Sequence, residues 1–197
     1  MRIILASTSP YRRDLLSRLG LPFDVATPDV DENFVKARAW PPRDVAVELS
    51  RLKAESVAAQ MTDGVVIGCD QVVDAAGVIL DKPGTKDRAA GQLRALAGTT
   101  FELHSATTFI DVSPGGIVGE PDPHCVTTSL TMRPLTDPEI DRYLDLDEPY
   151  DCAGSFRIEK AGIALFEECA TADFTAIVGL PMMLVSRALR EREVAAP

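Results

Sequence analysis

The sequence has little of what would announce a secreted, membrane-bound or nucleic-acid-binding protein. Its four cysteines, Cys69, Cys125, Cys152 and Cys169, stand far apart with no CxxC pair. That spacing excludes a zinc knuckle or a thioredoxin-like motif and matches reduced thiols in a cytosolic protein. No apolar run approaches the roughly 18 residues needed to cross a bilayer. The opening Met1-Arg2-Ile3-Ile4-Leu5-Ala6 is too short for a signal peptide, and a Ser-Pro turn follows at once. The chain is therefore expected to stay in the cytoplasm. Positive charge is scarce too: 20 Lys and Arg against 30 Asp and Glu give a net charge of −10. Such a chain has no electrostatic attraction for DNA, RNA or anionic membrane, and neither nucleic acid nor membrane is expected as a partner. Several catalytic signatures are missing: GxxxxGK[ST], GxGxxG after a strand, the Nudix pattern Gly-x5-Glu-x7-Arg-Glu, HExxH and GxSxG.

What is present reads as one mixed α/β domain over residues 1–197. Hydrophobic residues make up 46% of the chain, and its 14 prolines and 13 glycines are spread rather than clustered. Residues 2–6 predict a buried strand. Ser9-Pro10 predicts a helix start, with serine as N-cap and proline at the first helical position, and Leu15, Leu16 and Leu19 follow at helical spacing until Gly20. A short strand is expected at 23–27 and a helix at 42–60. The run Gly64-Val65-Val66-Ile67-Gly68-Cys69 predicts a central strand ending on Asp70. Val72-Val73-Asp74 and Val78-Ile79-Leu80 flank a turn and predict a hairpin. A helix over 86–97 closed by Gly98, strands over 100–112 and 124–132, and a Pro/Gly loop at 113–123 come next. Thr136-x-x-Glu139 reads as a capping box. A strand at 163–166 and a helix at 180–192 complete the pattern, which suggests one mixed sheet covered by helices with a cleft between two lobes.

Four groups of residues could carry chemistry. Arg12 and Arg13 lie in the opening turn of a helix, where the macrodipole disfavours cations by about 0.3–1 kcal/mol. An anion on the free N–H groups reverses that cost, and Ser7, Thr8 and Ser9 just ahead add donors; snorkelling into solvent explains the arginines equally well. Asp70, expected at the carboxyl end of a strand, stands where open α/β sheets place working acids. It could accept a proton from water, ligate a metal or merely close a turn. Lys53 and Lys82 suit phosphate oxygens or plain solvent. Asp29, Asp31 and Glu32 form an acidic patch able to assist a hard cation, although singly they read as a solvated loop. His104 and His124 lack partner spacing and read as structural.

Together these segments resemble the Maf family of nucleotide pyrophosphatases, the septum-formation-inhibitor-like proteins. The residues that carry the resemblance are Ala6-Ser7-Thr8-Ser9-Pro10-Tyr11-Arg12, Val30-Asp31-Glu32, Lys53, Asp70, Lys82-Pro83, Ala153-Gly154 and Gly179-Leu180-Pro181, in order along essentially the whole chain. The resemblance implies an elongated mixed sheet flanked by helices, similar to inosine triphosphate pyrophosphatases, with the site in a cleft between two lobes. It implies a nucleotide substrate, a divalent cation (Mg²⁺ or Mn²⁺), and hydrolysis of a nucleoside triphosphate to the monophosphate and pyrophosphate. Asp70 would act as base and, with Glu32, hold the metal. Ser7, Arg12, Lys53 and Lys82 would bind the triphosphate, with Arg13 beside them. A homodimer is also implied.

Three positions bear on the base. Family members acting on dTTP and UTP resemble one another in having arginine, threonine and glutamine where this chain has Tyr11, Gln71 and Glu159. The combination here resembles the subgroup that hydrolyses 7-methyl-GTP. N7-methylation makes guanine cationic, and a cation over an aromatic face gains about 0.5–2 kcal/mol. A carboxylate at Glu159 can accept hydrogen bonds from the guanine N1–H and amino group, whereas thymine offers it one donor. A dTTP or UTP pyrophosphatase of the same family, or a non-catalytic nucleotide-binding regulator of cell division, are the competing readings.

Overall fold

The first strand is apolar at every position, and its surroundings explain why. In the computed structural model, which describes residues 1–197, β1 (Ile3–Ala6) is buried throughout. It lies between β2 (Asp24–Ala26) and β3 (Gly64–Ala75), both parallel to it. A strand inside a parallel arrangement is covered on both faces, so it cannot alternate polar with apolar residues. The sheet has seven strands in the order β2-β1-β3-β5-β6-β7, with β4 (Val78–Leu80) pairing antiparallel to the end of β3. β5 covers Thr100–Ser113, β6 covers Gly116–Met132, and β7 (Phe166–Ala170) pairs antiparallel with β6. The expected mixed α/β class is borne out.

Contacts divide the chain into two compact units. The first comprises Met1–Gln71, Ser105–Val126 and Asp173–Pro197. Side chains alternate across its strands. Ile3, Leu5, Val65, Ile67 and Cys69 pack with Leu15 and Leu16 of α1 (Pro10–Ser17) and with Val185 and Leu189 of α7 (Met182–Glu191). Ile4, Ala6 and Val66 pack with Ala54 and Val57 of α3 (Pro42–Ala58). The short helices α2 (Glu32–Lys36) and α6 (Thr175–Val178) complete this unit.

The second unit comprises Val72–His104 and Thr127–Ala172 and carries α4 (Lys86–Leu96) and α5 (Asp137–Asp147). Gly98, at φ +69°, follows Ala97, the C-cap of α4, as expected of a helix stop. The Glu139 carboxylate accepts the Thr136 N–H at 2.8 Å, as the capping box requires. Phe101, Phe156 and Phe166 pack tilted or edge-on, with ring centroids 5.0–6.2 Å apart. No helix in the chain is long and apolar enough to cross a membrane.

The structure corrects several sequence-based expectations. Residues 113–123 are mostly strand, with only Pro114-Gly115 in the turn. Pro121 and Pro123 are tolerated because this end of β6 is largely exposed, and a proline there forfeits only one N–H. The strand expected at 163–166 is a 3-10 helix over Ala161–Leu165, and the strand begins only at Phe166. Ser9 occupies the N-cap position of α1 but makes no capping bond; its own N–H donates to Ser7 Oγ at 3.2 Å. Finally, Asp70 does not end its strand. It sits in the middle of the twelve-residue β3, whose pleat runs on into the hairpin.

Gly68 governs how α3 meets β3. A Cβ at this position would lie 2.3 Å from the Ser50 carbonyl oxygen and 2.6 Å from the Ala54 nitrogen. Helix backbone thus rests directly on strand backbone, which no larger residue permits. Gly68→Ala is expected to destabilise the fold by about 1–3 kcal/mol, read as a melting temperature lowered by several degrees. An unchanged melting temperature would show that α3 can lift away at no cost.

Candidate active site

The close contact at Gly68 brings Lys53 of α3 onto Asp70 of β3. Both are nearly enclosed, at 8% and 6% exposure, and Lys53 Nζ lies 2.6 Å from Asp70 Oδ1. The same ammonium lies 2.6 Å from Glu32 Oε1, presented by the first turn of α2. That helix is capped by Asp31, whose carboxylate accepts the Phe34 N–H at 3.2 Å. Lys36, one turn on, reaches Glu32 Oε2 at 3.5 Å. Of the acidic patch expected to be a solvated loop, Glu32 thus opens a short helix and Asp31 caps it, while Asp29 stays exposed ahead of both. Five residues hold too little periodicity to reveal it.

One cation shared by two carboxylates sets the protonation of all three groups. Burial works against the Lys53 ammonium, but Asp70 and then Glu32 outweigh it and hold its pKa above the ordinary lysine value. Burial pushes the Asp70 carboxyl above the usual carboxylate range, while Lys53 and Arg12 pull it back only part of the way. Burial also opposes ionisation of Glu32, yet Lys53 and Lys36 prevail and leave it below its ordinary value.

Arg12 is anchored by three chain segments. Its Nε donates to the Gly179 carbonyl at 3.1 Å, and its Nη1 donates to the Cys69 carbonyl at 2.9 Å and, at a longer 3.4 Å, to Ser7 Oγ. Nη2 carries the donors that remain. Gly179 has φ +123°, a conformation glycine alone adopts freely, which aims its carbonyl at the guanidinium. Cys69 contributes only its backbone here. Its side chain is fully buried in the core, and burial pushes its thiol up, so it stays neutral.

Gln71, on the opposite face of β3 from Asp70, is tied down. Its amide nitrogen donates to the Ser105 hydroxyl at 3.0 Å and to the Ala176 and Ile177 carbonyls at 2.8 and 2.9 Å. Asp173 then fixes this segment by accepting the Thr175 and Met183 N–H groups at 2.9 and 2.8 Å. The Gln71, Ser105 and Asp173 network has no local signature in the sequence, since its partners lie 34 to 106 residues from Gln71.

Ser7, Arg12, Glu32, Lys53 and Asp70 are thus brought together within the first unit. Ser7 is 4% exposed. Tyr11 is half-buried on α1 beside Arg12. Arg13 is exposed, with Nε 3.8 Å from Asp14 Oδ1, and takes no part in the cluster. Lys82, just past β4, and Glu159, between the 3-10 turns Ala153–Ser155 and Ala161–Leu165, belong to the second unit, and both are exposed. Glu32 and Asp70 offer only carboxylate oxygens, a donor set that suits a hard divalent cation, and they already converge on one positive charge.

Known sequences match this chain over nearly its whole length. A family model of Maf-like proteins matches residues 2–192. The chain is 45% identical over 188 residues to a 7-methyl-GTP pyrophosphatase of Cupriavidus metallidurans, covering 95% of this chain and 92% of that protein. It is 46% identical over 191 residues to a 7-methyl-GTP pyrophosphatase of Xanthomonas axonopodis pv. citri, covering 96% of each. Among solved structures, a HAM1 protein from Coxiella burnetii superposes with a TM-score of 0.46 at 17% identity, over 67% of this chain and 73% of that one.

Removing the shared cation tests the electrostatics directly. In Lys53→Met the Asp70 carboxyl is expected to titrate at higher pH than in the parent, as read by carbon-13 NMR. A carboxyl whose folded pKa lies above its unfolded value lends stability at low pH and withdraws it as pH rises through the folded pKa. The stability deficit of this variant should therefore grow with pH, reaching about 3–5 kcal/mol where the unpaired carboxylate is ionised. A deficit that is flat with pH would mean Lys53 does not govern Asp70.

Proposed function

This chain belongs to the Maf-like protein family, and from that premise we propose that it hydrolyses a nucleoside triphosphate, 7-methyl-GTP, to the monophosphate and pyrophosphate. The observation that carries the reading is the buried Asp70 carboxylate held against Lys53 and near Arg12. A carboxyl displaced upward by burial is a stronger base than one in water, and it remains ionised because cations face it. Asp70 accepts a proton from the attacking water; the water oxygen bonds to phosphorus, and the bridging bond between the α- and β-phosphates breaks, with pyrophosphate as leaving group. Arg12, fixed on two backbone carbonyls, offers its Nη2 edge to phosphate oxygens. Ser7, Lys53 and Lys82 add donors and positive charge. In this reading a chain of net charge −10 confines its phosphate-binding charge to a few residues.

A divalent cation, Mg²⁺ or Mn²⁺, held by Glu32 and Asp70, would neutralise the phosphate oxygens and polarise the reacting phosphorus. For the base, Tyr11 stacks on the cationic methylated guanine and Glu159 accepts from its N1–H and amino group. Gln71 acts differently from Tyr11 and Glu159: with its amide nitrogen occupied by Ser105, Ala176 and Ile177, it shapes the site through the 173–179 segment. The names of the relatives, at 45 and 46% identity, support the choice of substrate.

Release of pyrophosphate from a panel of nucleotides with Mn²⁺ tests the substrate, with 7-methyl-GTP expected to lead; preference for UTP or dTTP would overturn that choice and leave the reaction standing. Asp70→Asn is expected to lower turnover about 10²- to 10⁴-fold with nucleotide binding retained. Absence of turnover in the parent chain on every nucleotide would favour a binding regulator. Tyr11→Ala should reduce kcat/KM for 7-methyl-GTP by about two- to thirty-fold and leave GTP less affected. An equal loss on both nucleotides would remove the stacking role.

A further inference from the structure

His104 is buried to 3% exposure, and the proposed hydrolysis makes no use of it. Its surroundings are built from three neighbouring strands. β5 carries Glu102 and His104 two residues apart, hence on one face. β3, on one side, supplies Asp74, and β6, on the other, supplies Thr127. His104 Nδ1 lies 3.0 Å from Thr127 Oγ1. His104 Nε2 points between two carboxylates, 3.4 Å from Asp74 Oδ2 and 3.5 Å from Glu102 Oε2.

These last two distances are longer than the roughly 2.7–3.2 Å of an N–H···O hydrogen bond. They match the edge of a coordination polyhedron: ligands about 2.0–2.1 Å from a tetrahedral divalent ion stand roughly 3.3–3.4 Å apart. All three donor atoms lie within 4.8 Å of one another. The supporting contacts are those a metal site needs. Asp74 Oδ1 accepts the Gly77 N–H at 2.6 Å, which fixes the carboxylate with Oδ2 toward the imidazole. Thr127 can accept the Nδ1 proton, which leaves the Nε2 lone pair to face the carboxylates. Glu102, 54% exposed in its side chain, opens the cluster to solvent and so supplies a path of entry.

We propose that Asp74, Glu102 and His104 bind a first-row transition-metal dication of the zinc or manganese class, with water completing its coordination. One imidazole nitrogen with two carboxylate oxygens favours such an ion over Ca²⁺ or Mg²⁺, which take oxygen ligands. The site is separate in its residues from Glu32 and Asp70.

Titration of the chelator-treated full chain with Zn²⁺ in a calorimeter, and with Co²⁺ in a spectrophotometer, tests this. The parent is expected to bind one equivalent at this site, with the Co²⁺ spectrum reporting nitrogen and oxygen ligands. His104→Gln and Glu102→Gln should each weaken binding at least about tenfold. Glu102 is exposed, so its variant retains the fold even if the buried substitution does not. Asp70→Asn should keep the equivalent that His104→Gln and Glu102→Gln weaken, whatever it loses at Glu32 and Asp70, which separates this site from the proposed hydrolytic centre. No binding in the parent, or equal affinity in parent and Glu102→Gln, would reduce the trio to a hydrogen-bonded histidine. The proposal stands or falls independently of the hydrolysis.

Discussion

A single ammonium between two carboxylates organises the first unit. Lys53 satisfies Asp70 and Glu32 at 2.6 Å each, and the enclosed Asp70 could not be held as an anion without it. The arrangement depends on backbone geometry before it depends on charge. Gly68 lets α3 approach β3 closely enough for Lys53 to reach a carboxylate that emerges from the middle of a strand. The net charge of the trio is negative, so it invites a further cation; Arg12, on the adjacent β3 carbonyl of Cys69, brings positive charge to the same place.

This economy of charge contrasts with the rest of the surface. Arg51 is spent on Glu48 and Glu55, and Arg192 on Asp111 and Asp122, in part-exposed pairs. Exposed ion pairs of this kind contribute about 0–1 kcal/mol each. The acidic excess therefore pairs off many surface cations, whereas Arg12 is held by backbone carbonyls instead of an acid.

The elements with strong periodicity were legible in the sequence: β1, α1, α3, α4 and the capping box before α5. So was the set Ser7, Arg12, Glu32, Lys53 and Asp70, because each belongs to a short motif and the motifs keep their order. Other features depend on pairing between distant segments, which local pattern does not report. Asp70 reads as a strand end because the alternation after it resembles a new hairpin arm, whereas β3 simply continues through it. The Pro/Gly stretch at 113–123 reads as loop because the exposed end of β6 needs few of the hydrogen bonds that proline forfeits. Asp74, Glu102 and His104 carry no recognisable spacing at all. Their proximity arises only when β3 and β5 lie side by side.

The seating of Arg12 joins residue 12 to the carbonyls of residues 69 and 179. A ribosome makes these segments far apart in time, with Cys69 57 residues and Gly179 167 residues after Arg12. A nascent chain can therefore build the Lys53–Asp70 pair well before its guanidinium has found both anchors. Residue 179 must be made before the guanidinium is fixed at both carbonyls, so a chain that stops short of it leaves Arg12 without one of its anchors.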